Sequence, residues 1–183
     1  MMLEVEGGLL RDQRKELFEL LDKSGANLYA LLTRLTLRED VAEELMQELF
    51  IKLSNYNGLR KIRDWNAYAH KAAINLAFDW RRKQRRAFLS LDDVRETASN
   101  DNSPLSKMVH DEELQKTLDA VGQLNKASQQ AIVMRYIQQQ PYEDIAEQMS
   151  KTSHQVRALC YKAINRLRDL LGSERKGIYN VEH

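Results

Sequence analysis

Residues 64–86 read DWNAYAHKAAINLAFDWRRKQRR, and the fold turns on how they are read. Trp65, Tyr68, Ala69, Ala72, Leu76 and Trp80 recur at helical spacing, so the stretch predicts one helix from near Asp64 to about Arg86 with those residues facing inward. It then ends in RRKQRR, five cations in six positions. One or two cations complement the dipole at a helix C-terminus. A block of five repels itself and calls for a polyanion, the plainer alternative being a solvated helix end. Trp65, Tyr68 and Trp80 belong by default to a core, but such rings also stack on unpaired bases beside a phosphate-binding groove.

Upstream the chain is helical as well. Residues 11–34 and the position after them carry Leu17, Leu20, Leu21, Leu28, Leu31, Leu32 and Leu35, with Ser24 and Gly25 as an expected break. From Asp40 a second set begins (Val41, Leu45, Met46, Leu49, Phe50 and Leu53), Asp40 and Glu43 having the spacing of a capping box. Asn55, Tyr56, Asn57 and Gly58 supply the turn that ends it. Glu43, Glu44 and Glu48 share a neighbourhood with Asp40, but no histidine joins them, which favours a solvated or docking face over metal or acid–base chemistry.

Downstream, SLDDVRETASNDNSPLSK (90–107) loses the helical period and contains Pro104, so residues 90–111 read as a linker. Charge is sorted across it. Ten cations against two acids lie between Lys52 and Arg86, and seven acids against two cations between Asp92 and Glu113. The net charge of +1 hides a basic patch followed by an acidic linker. Helical periodicity resumes with Leu114, Leu118, Val121 and Leu124, then Ile132, Val133, Tyr136 and Ile137. The expectation is an all-α protein of two small helical domains, 1–89 and 112–172, with a tail at 173–183 that reads as disordered.

A second signal is PYEDIAEQMSKTSHQVRALCYKAINRLR (141–168). Pro141 suits a first helical turn, and Tyr142, Ile145, Ala146 and Met149 form an inner face. SKTSHQ breaks the period, after which Val156, Cys160, Ala163, Ile164, Leu167 and Leu171 make a second stripe. Short helix, turn and longer helix is the plan of a helix-turn-helix, with a plain helical hairpin as the alternative. Ser153, His154, Gln155, Arg157, Tyr161 and Lys162 would then face solvent as groups able to reach base edges and phosphates, Gln155 and Arg157 as base readers and Lys162 or Arg166 on phosphate.

Catalytic signatures are missing: there is no GxxxxGK, HExxH, GxSxG or CxxC, and His70, His110, His154 and His183 are scattered. The expectation is no enzyme, no metal and no cofactor. Cys160 lies in an apolar stripe and reads as a packed residue. A single cysteine, no apolar run of membrane length, and an N-terminus MMLEVEGG that carries Glu4 and Glu6 but no basic n-region give a cytoplasmic expectation without membrane insertion.

The two halves together resemble the extracytoplasmic-function sigma factors, a small group of bacterial sigma-70-like initiation subunits. The likeness covers roughly residues 12–90 and 112–171. LYALLTRLTLREDVAEELMQELFIKL (28–53) resembles the family's polymerase-binding segment, 64–86 its promoter-melting and −10-reading segment, and 118–171 its −35-reading domain. The resemblance implies a non-catalytic specificity subunit whose partners are core RNA polymerase, promoter DNA and an anti-sigma protein. It implies core docking by Glu44, Leu45, Gln47, Glu48 and Phe50. Single-stranded −10 contacts fall on Arg60, Lys61, Arg63, Trp65, Asn75, Asp79, Trp80, Arg81, Arg82 and Lys83, and −35 contacts on Ser153, His154, Gln155, Arg157, Tyr161, Lys162 and Arg166. It also implies a linker threaded near the active centre, its acidity imitating nucleic acid. Ser150 stands where the family commonly has glycine, Lys151 where it has an apolar residue, Leu159 where it often has arginine and Val41 where it has an acid. The other readings are a stand-alone helix-turn-helix regulator and a helical scaffold that binds no DNA.

Overall fold

The computed structural model describes residues 2–56, 62, 64–91 and 105–178. Among these every regular element is a helix. Arg60, Lys61 and Arg63, the acidic stretch 92–104 and the end of the tail, 179–183, lie outside the described residues. The chain divides into two compact units, Met1–Ala77 and Phe78–His183, so the division falls twelve residues before the sequence-based boundary at 89.

The first unit holds α1 (Met2–Thr36), α2 (Glu39–Ser54) and the start of α3 (Trp65–Leu91). Leu17, Leu20, Leu28, Leu31, Leu32 and Leu35 of α1 are buried, as are Val41, Ala42, Leu45, Leu49 and Leu53 of α2. Fully burying one such leucine stabilises by about 1.5–3 kcal/mol, which carries α1 through Ser24 and Gly25 without the expected break. A mid-helix glycine costs only about 1 kcal/mol. After α1 the chain turns at Leu37, whose φ of 59° is left-handed and whose N–H donates to the Thr33 carbonyl at 2.8 Å. Buried Thr36 donates its hydroxyl to the Leu32 carbonyl at 2.9 Å. The expected capping box at Asp40 does not form. Extended Arg38 is the N-cap, without a side-chain cap bond, and its guanidinium pairs with Asp40 instead. That pairing holds the Asp40 carboxyl below its ordinary pKa. At the start of α3, Asp64 Oδ1 accepts from the Ala67 N–H at 3.0 Å and so caps the helix.

The second unit begins with Phe78, which is fully buried midway along α3, and includes α4 (Leu105–Gly122), which starts right after Pro104 in sequence. Residues 105–111, read as linker, are therefore helical, and Leu114 is 41% exposed rather than core, whereas Leu118, Ala120, Val121 and Leu124 are buried. Fully buried Gln129 of α5 (Lys126–Ile132) donates from Nε2 to the carbonyls of Gly122 (3.0 Å) and Leu124 (2.8 Å), tying α5 to the end of α4. Asn125 caps α5 by accepting from Ser128 N at 2.9 Å.

A π turn over Val133–Ile137 continues α5, and the Gln138 N–H closes onto the Val133 carbonyl at 3.0 Å. The extra residue in the turn rotates the face. Met134 goes inside, and Tyr136, expected in the core, comes out to 51% exposure. Then come α6 (Tyr142–Met149) and α7 (Ser153–Ile178), which pack on each other through Ile145, Ala146, Val156, Cys160 and Ala163. The helical backbone reaches Ile178, so residues 173–178, read as disordered tail, prolong α7.

Candidate polymerase and DNA interfaces

On α2, Glu44, Gln47 and Glu48 are exposed, and Phe50 is 38% exposed. Leu45, expected beside them, is only 6% exposed and belongs to the core, because its spacing to Val41 and Leu49 places it on the inner face. Ile51, not singled out from the sequence, is 57% exposed. Its signal was available, since positions 44, 47, 48 and 51 follow the i, i+3, i+4, i+7 pattern of one helix face. The result is a carboxylate-bearing strip with two apolar side chains, suited to another protein.

The first unit also carries a ring cluster. Tyr56, Trp65 and Tyr68 meet edge to face, with centroids 5.9 Å (Tyr56–Trp65), 5.3 Å (Tyr56–Tyr68) and 6.2 Å (Trp65–Tyr68) apart. Trp65 Nε1 donates to Glu16 Oε2 at 2.6 Å. The cluster fixes the ring of Trp65, which follows the basic candidates Arg60, Lys61 and Arg63 in sequence. Tyr56 was not among the candidates, although an aromatic residue close in sequence to Arg60, Lys61 and Arg63 was the signal. Asn75 is half-buried on α3. His70 is 9% exposed, and burial pushes its pKa down while Asp64 opposes the shift.

Asp79, Trp80, Arg81, Arg82 and Lys83 fall in the second unit. Arg81 is 3% exposed. Its Nη2 donates to Asp119 Oδ1 at 2.7 Å and to the Gln115 carbonyl at 3.0 Å, both on α4. Burial lowers its pKa against the pull of Asp119. Arg82 pairs with Asp79 and donates to the Gly122 carbonyl at 3.3 Å. Lys83, Arg85 and Arg86 are exposed. The cationic end is thus divided: its first arginine faces inward, and the later cations face solvent. A cavity of about 340 Å³ lies beside Arg81, Arg85 and Asp119.

In the C-terminal pair, α6 ends at Ser150, whose φ of 53° and ψ of 47° are the left-handed conformation a glycine usually supplies there. Lys151 N–H closes back onto the Ala146 carbonyl at 2.9 Å. Thr152 then caps α7. Its Oγ1 accepts from Gln155 N–H at 3.2 Å, and Gln155 Oε1 accepts from Thr152 N–H at 3.0 Å. This reciprocal capping box occupies the side chain expected to read a base. Past it His154, Arg157, Tyr161, Lys162 and Arg166 are exposed, Ser153 is half-buried, and Leu159 is half-buried against the stripe. Buried Cys160 has its thiol pKa pushed up. Among the described residues no group of three or more His, Cys, Asp or Glu side chains is arranged to hold a metal. No helix there is long and apolar enough to cross a membrane.

The family Sigma-70 region 2 matches residues 20–87, and Sigma-70, region 4 matches residues 114–167. The chain belongs to the sigma-70 family. As a sigma factor it directs promoter recognition and transcription initiation by RNA polymerase. The region 2 match takes in the outer strip of α2, the ring cluster at Trp65 and the cations up to Arg86. The region 4 match takes in α6, the turn and α7 as far as Leu167.

Three solved structures are similar to this sigma-70 chain. The sigma factor RpoE in complex with the anti-sigma factor NepR from Bartonella quintana is 21% identical, over 88% of this chain and 98% of that one, with a TM-score of 0.48. CnrH in complex with the cytosolic domain of CnrY is 15% identical over 87% and 90%, with a TM-score of 0.49. The RsbN–BldN complex is 22% identical over 87% and 96%, with a TM-score of 0.31. No curated protein matches the sequence.

Proposed function

We propose that this sigma factor is of the extracytoplasmic-function type and that its regions divide the work of initiation. The outer strip of α2, with Glu44, Gln47, Glu48, Phe50 and Ile51, docks on core RNA polymerase. Trp65 and its ring neighbours, with the basic residues 60–63 and the exposed cations Lys83, Arg85 and Arg86, hold the unpaired −10 strand. The exposed face of α7 reads the −35 element in the major groove. An anti-sigma protein is the partner that keeps such a factor from the polymerase, as the anti-sigma factor NepR accompanies the similar sigma factor RpoE.

The observation that carries the reading is the occurrence, in order on one chain, of a region 2 match with a carboxylate-bearing docking strip and a region 4 match with an exposed recognition helix. A stand-alone regulator has no use for the first. The test is assembly of the purified protein with bacterial core polymerase, followed by promoter-dependent transcription. Glu48→Lys is expected to weaken the 1:1 complex while helix content by circular dichroism stays unchanged. Core binding indifferent to that charge reversal overturns the docking surface. Tight duplex promoter binding with no affinity for core polymerase replaces the whole reading by the regulator.

A further inference from the structure

Tyr142, the first residue of α6, sits at the centre of a cluster that the assignment of α7 to base reading does not by itself require. The Arg157 guanidinium carbon lies 5.2 Å from the centroid of its ring and that of Arg135 lies 4.5 Å away. Each element of the cluster is itself fixed. Arg135 Nη1 donates to the Gln140 carbonyl at 2.9 Å, just where the chain leaves the π turn and passes through Gln139 at a φ of 56°. Burial raises the pKa of the Tyr136 hydroxyl, and the neighbouring Tyr142 raises it further. Arg157 Nη2 lies 3.5 Å from Glu143 Oε1, an exposed pair that contributes little energy but limits where the guanidinium swings.

Two guanidiniums beside one ring would repel. The negative face of the ring and the Glu143 carboxylate offset that repulsion. An arginine reads guanine by presenting two N–H groups in one plane to O6 and N7. A free arginine side chain samples many rotamers and loses that freedom on binding. Arg157 is 61% exposed along its side chain, and its contacts with Tyr142 and Glu143 restrict it.

We propose that Tyr142 is a positioning residue for Arg157: its ring holds the guanidinium plane so that the fork enters the major groove already oriented. The proposal rests on α7 being the −35-reading helix. The π turn gains a purpose from it, since it brings Arg135 and Tyr136 to the ring that holds the reader.

The experiment is transcription by the reconstituted holoenzyme from a library of −35 sequences, with binding measured over a salt series. Arg157→Ala is expected to flatten base preference at one −35 position. Tyr142→Leu should weaken preference at that same position about two- to fivefold, the range of an exposed cation–π contact. Tyr142→Phe, which keeps the ring, should behave as wild type, and Tyr142→Leu with Arg157→Ala should be no worse than Arg157→Ala alone. Arg157→Lys keeps the charge but not the planar fork and should resemble Tyr142→Leu, which secures the test if Tyr142→Leu misfolds.

A preference lost in Arg157→Ala but intact in a folded Tyr142→Leu overturns the positioning role and leaves α7 as reader. No change in Arg157→Ala overturns both. A salt slope lowered by about 0.9 in Tyr142→Leu overturns the proposal too, because it marks a lost phosphate contact rather than a misaligned base contact.

Discussion

The divided cationic end of α3 makes a prediction that separates its arginines by environment. Lys83, Arg85 and Arg86 are exposed, whereas Arg81 is 3% exposed and held by Asp119 and the Gln115 carbonyl. Replacing Lys83, Arg85 and Arg86 together by Ala removes at most three phosphate contacts. The log–log salt slope for a single-stranded −10 oligonucleotide should then fall by about 2, at ~0.7 per contact. Between about 50 and 200 mM salt that difference makes the affinity of the wild type fall roughly 20-fold more than that of the variant. Arg81→Ala should leave the slope unchanged and act on stability instead. It deletes charge-assisted hydrogen bonds worth about 1.5–3 kcal/mol each at best, and the lower end applies because Asp119, 36% exposed, is rehydrated. Asp119→Ala should cost more, since it strands a guanidinium that is 2% exposed. Fluorescence anisotropy of the oligonucleotide on the holoenzyme gives the slopes, and urea unfolding followed by circular dichroism gives the stabilities. If Arg81→Ala lowers the slope as much as a single Lys83→Ala, Arg81 has left Asp119 for phosphate and the division is wrong.

Three further outcomes are expected. Thr152→Ala should destabilise the second unit by about 1 kcal/mol in urea unfolding, the worth of a side-chain cap; an unchanged midpoint would mean that the box with Gln155 contributes nothing. Gly25→Ala should stabilise by up to ~1 kcal/mol, because an added Cβ meets nothing within 4 Å, and a lowered melting temperature would count against an uninterrupted α1. His70 is buried with a lowered pKa, so the unfolded chain takes up its proton more readily, and stability is lost as pH falls through the ordinary histidine value of about 6.5. His70→Gln should flatten the fall in melting temperature between about pH 7.5 and 5, and parallel profiles would show that His70 does not carry it.

What the sequence disclosed depended on range. The leucine spacing of α1 and the apolar stripes of α6 and α7 are local and were legible. The helix-turn-helix was legible too, even though Ser150 replaces the glycine that usually marks its turn, because a left-handed φ at one position is within reach of serine. The capping box was misplaced. Asp40 and Glu43 have its spacing but Arg38 draws Asp40 away, while Thr152 and Gln155 have the same spacing and form it. The inward turn of Arg81 was not legible, since its partner Asp119 is 38 positions away and nothing in RRKQRR distinguishes the first arginine from the fifth. Tyr136 was misjudged because periodicity assumes a regular helix and the π turn changes the count. Tyr142 was read as core, and its role emerges only from the arginines brought over it from two other segments.

The reciprocal box at Thr152 and Gln155 also bears on how this protein can change over generations. A position that only touches DNA is free to drift, and each substitution there tries out a new promoter. Gln155 lacks that freedom, because losing it removes the Oε1 bond to the Thr152 N–H that helps cap the entrance of α7. On the proposed reading of α7, divergence in promoter choice is therefore channelled to His154, Arg157, Tyr161 and Lys162, whose side chains are exposed. Copies of such a gene would acquire separate regulons through those four codons while the helix entrance stays the same.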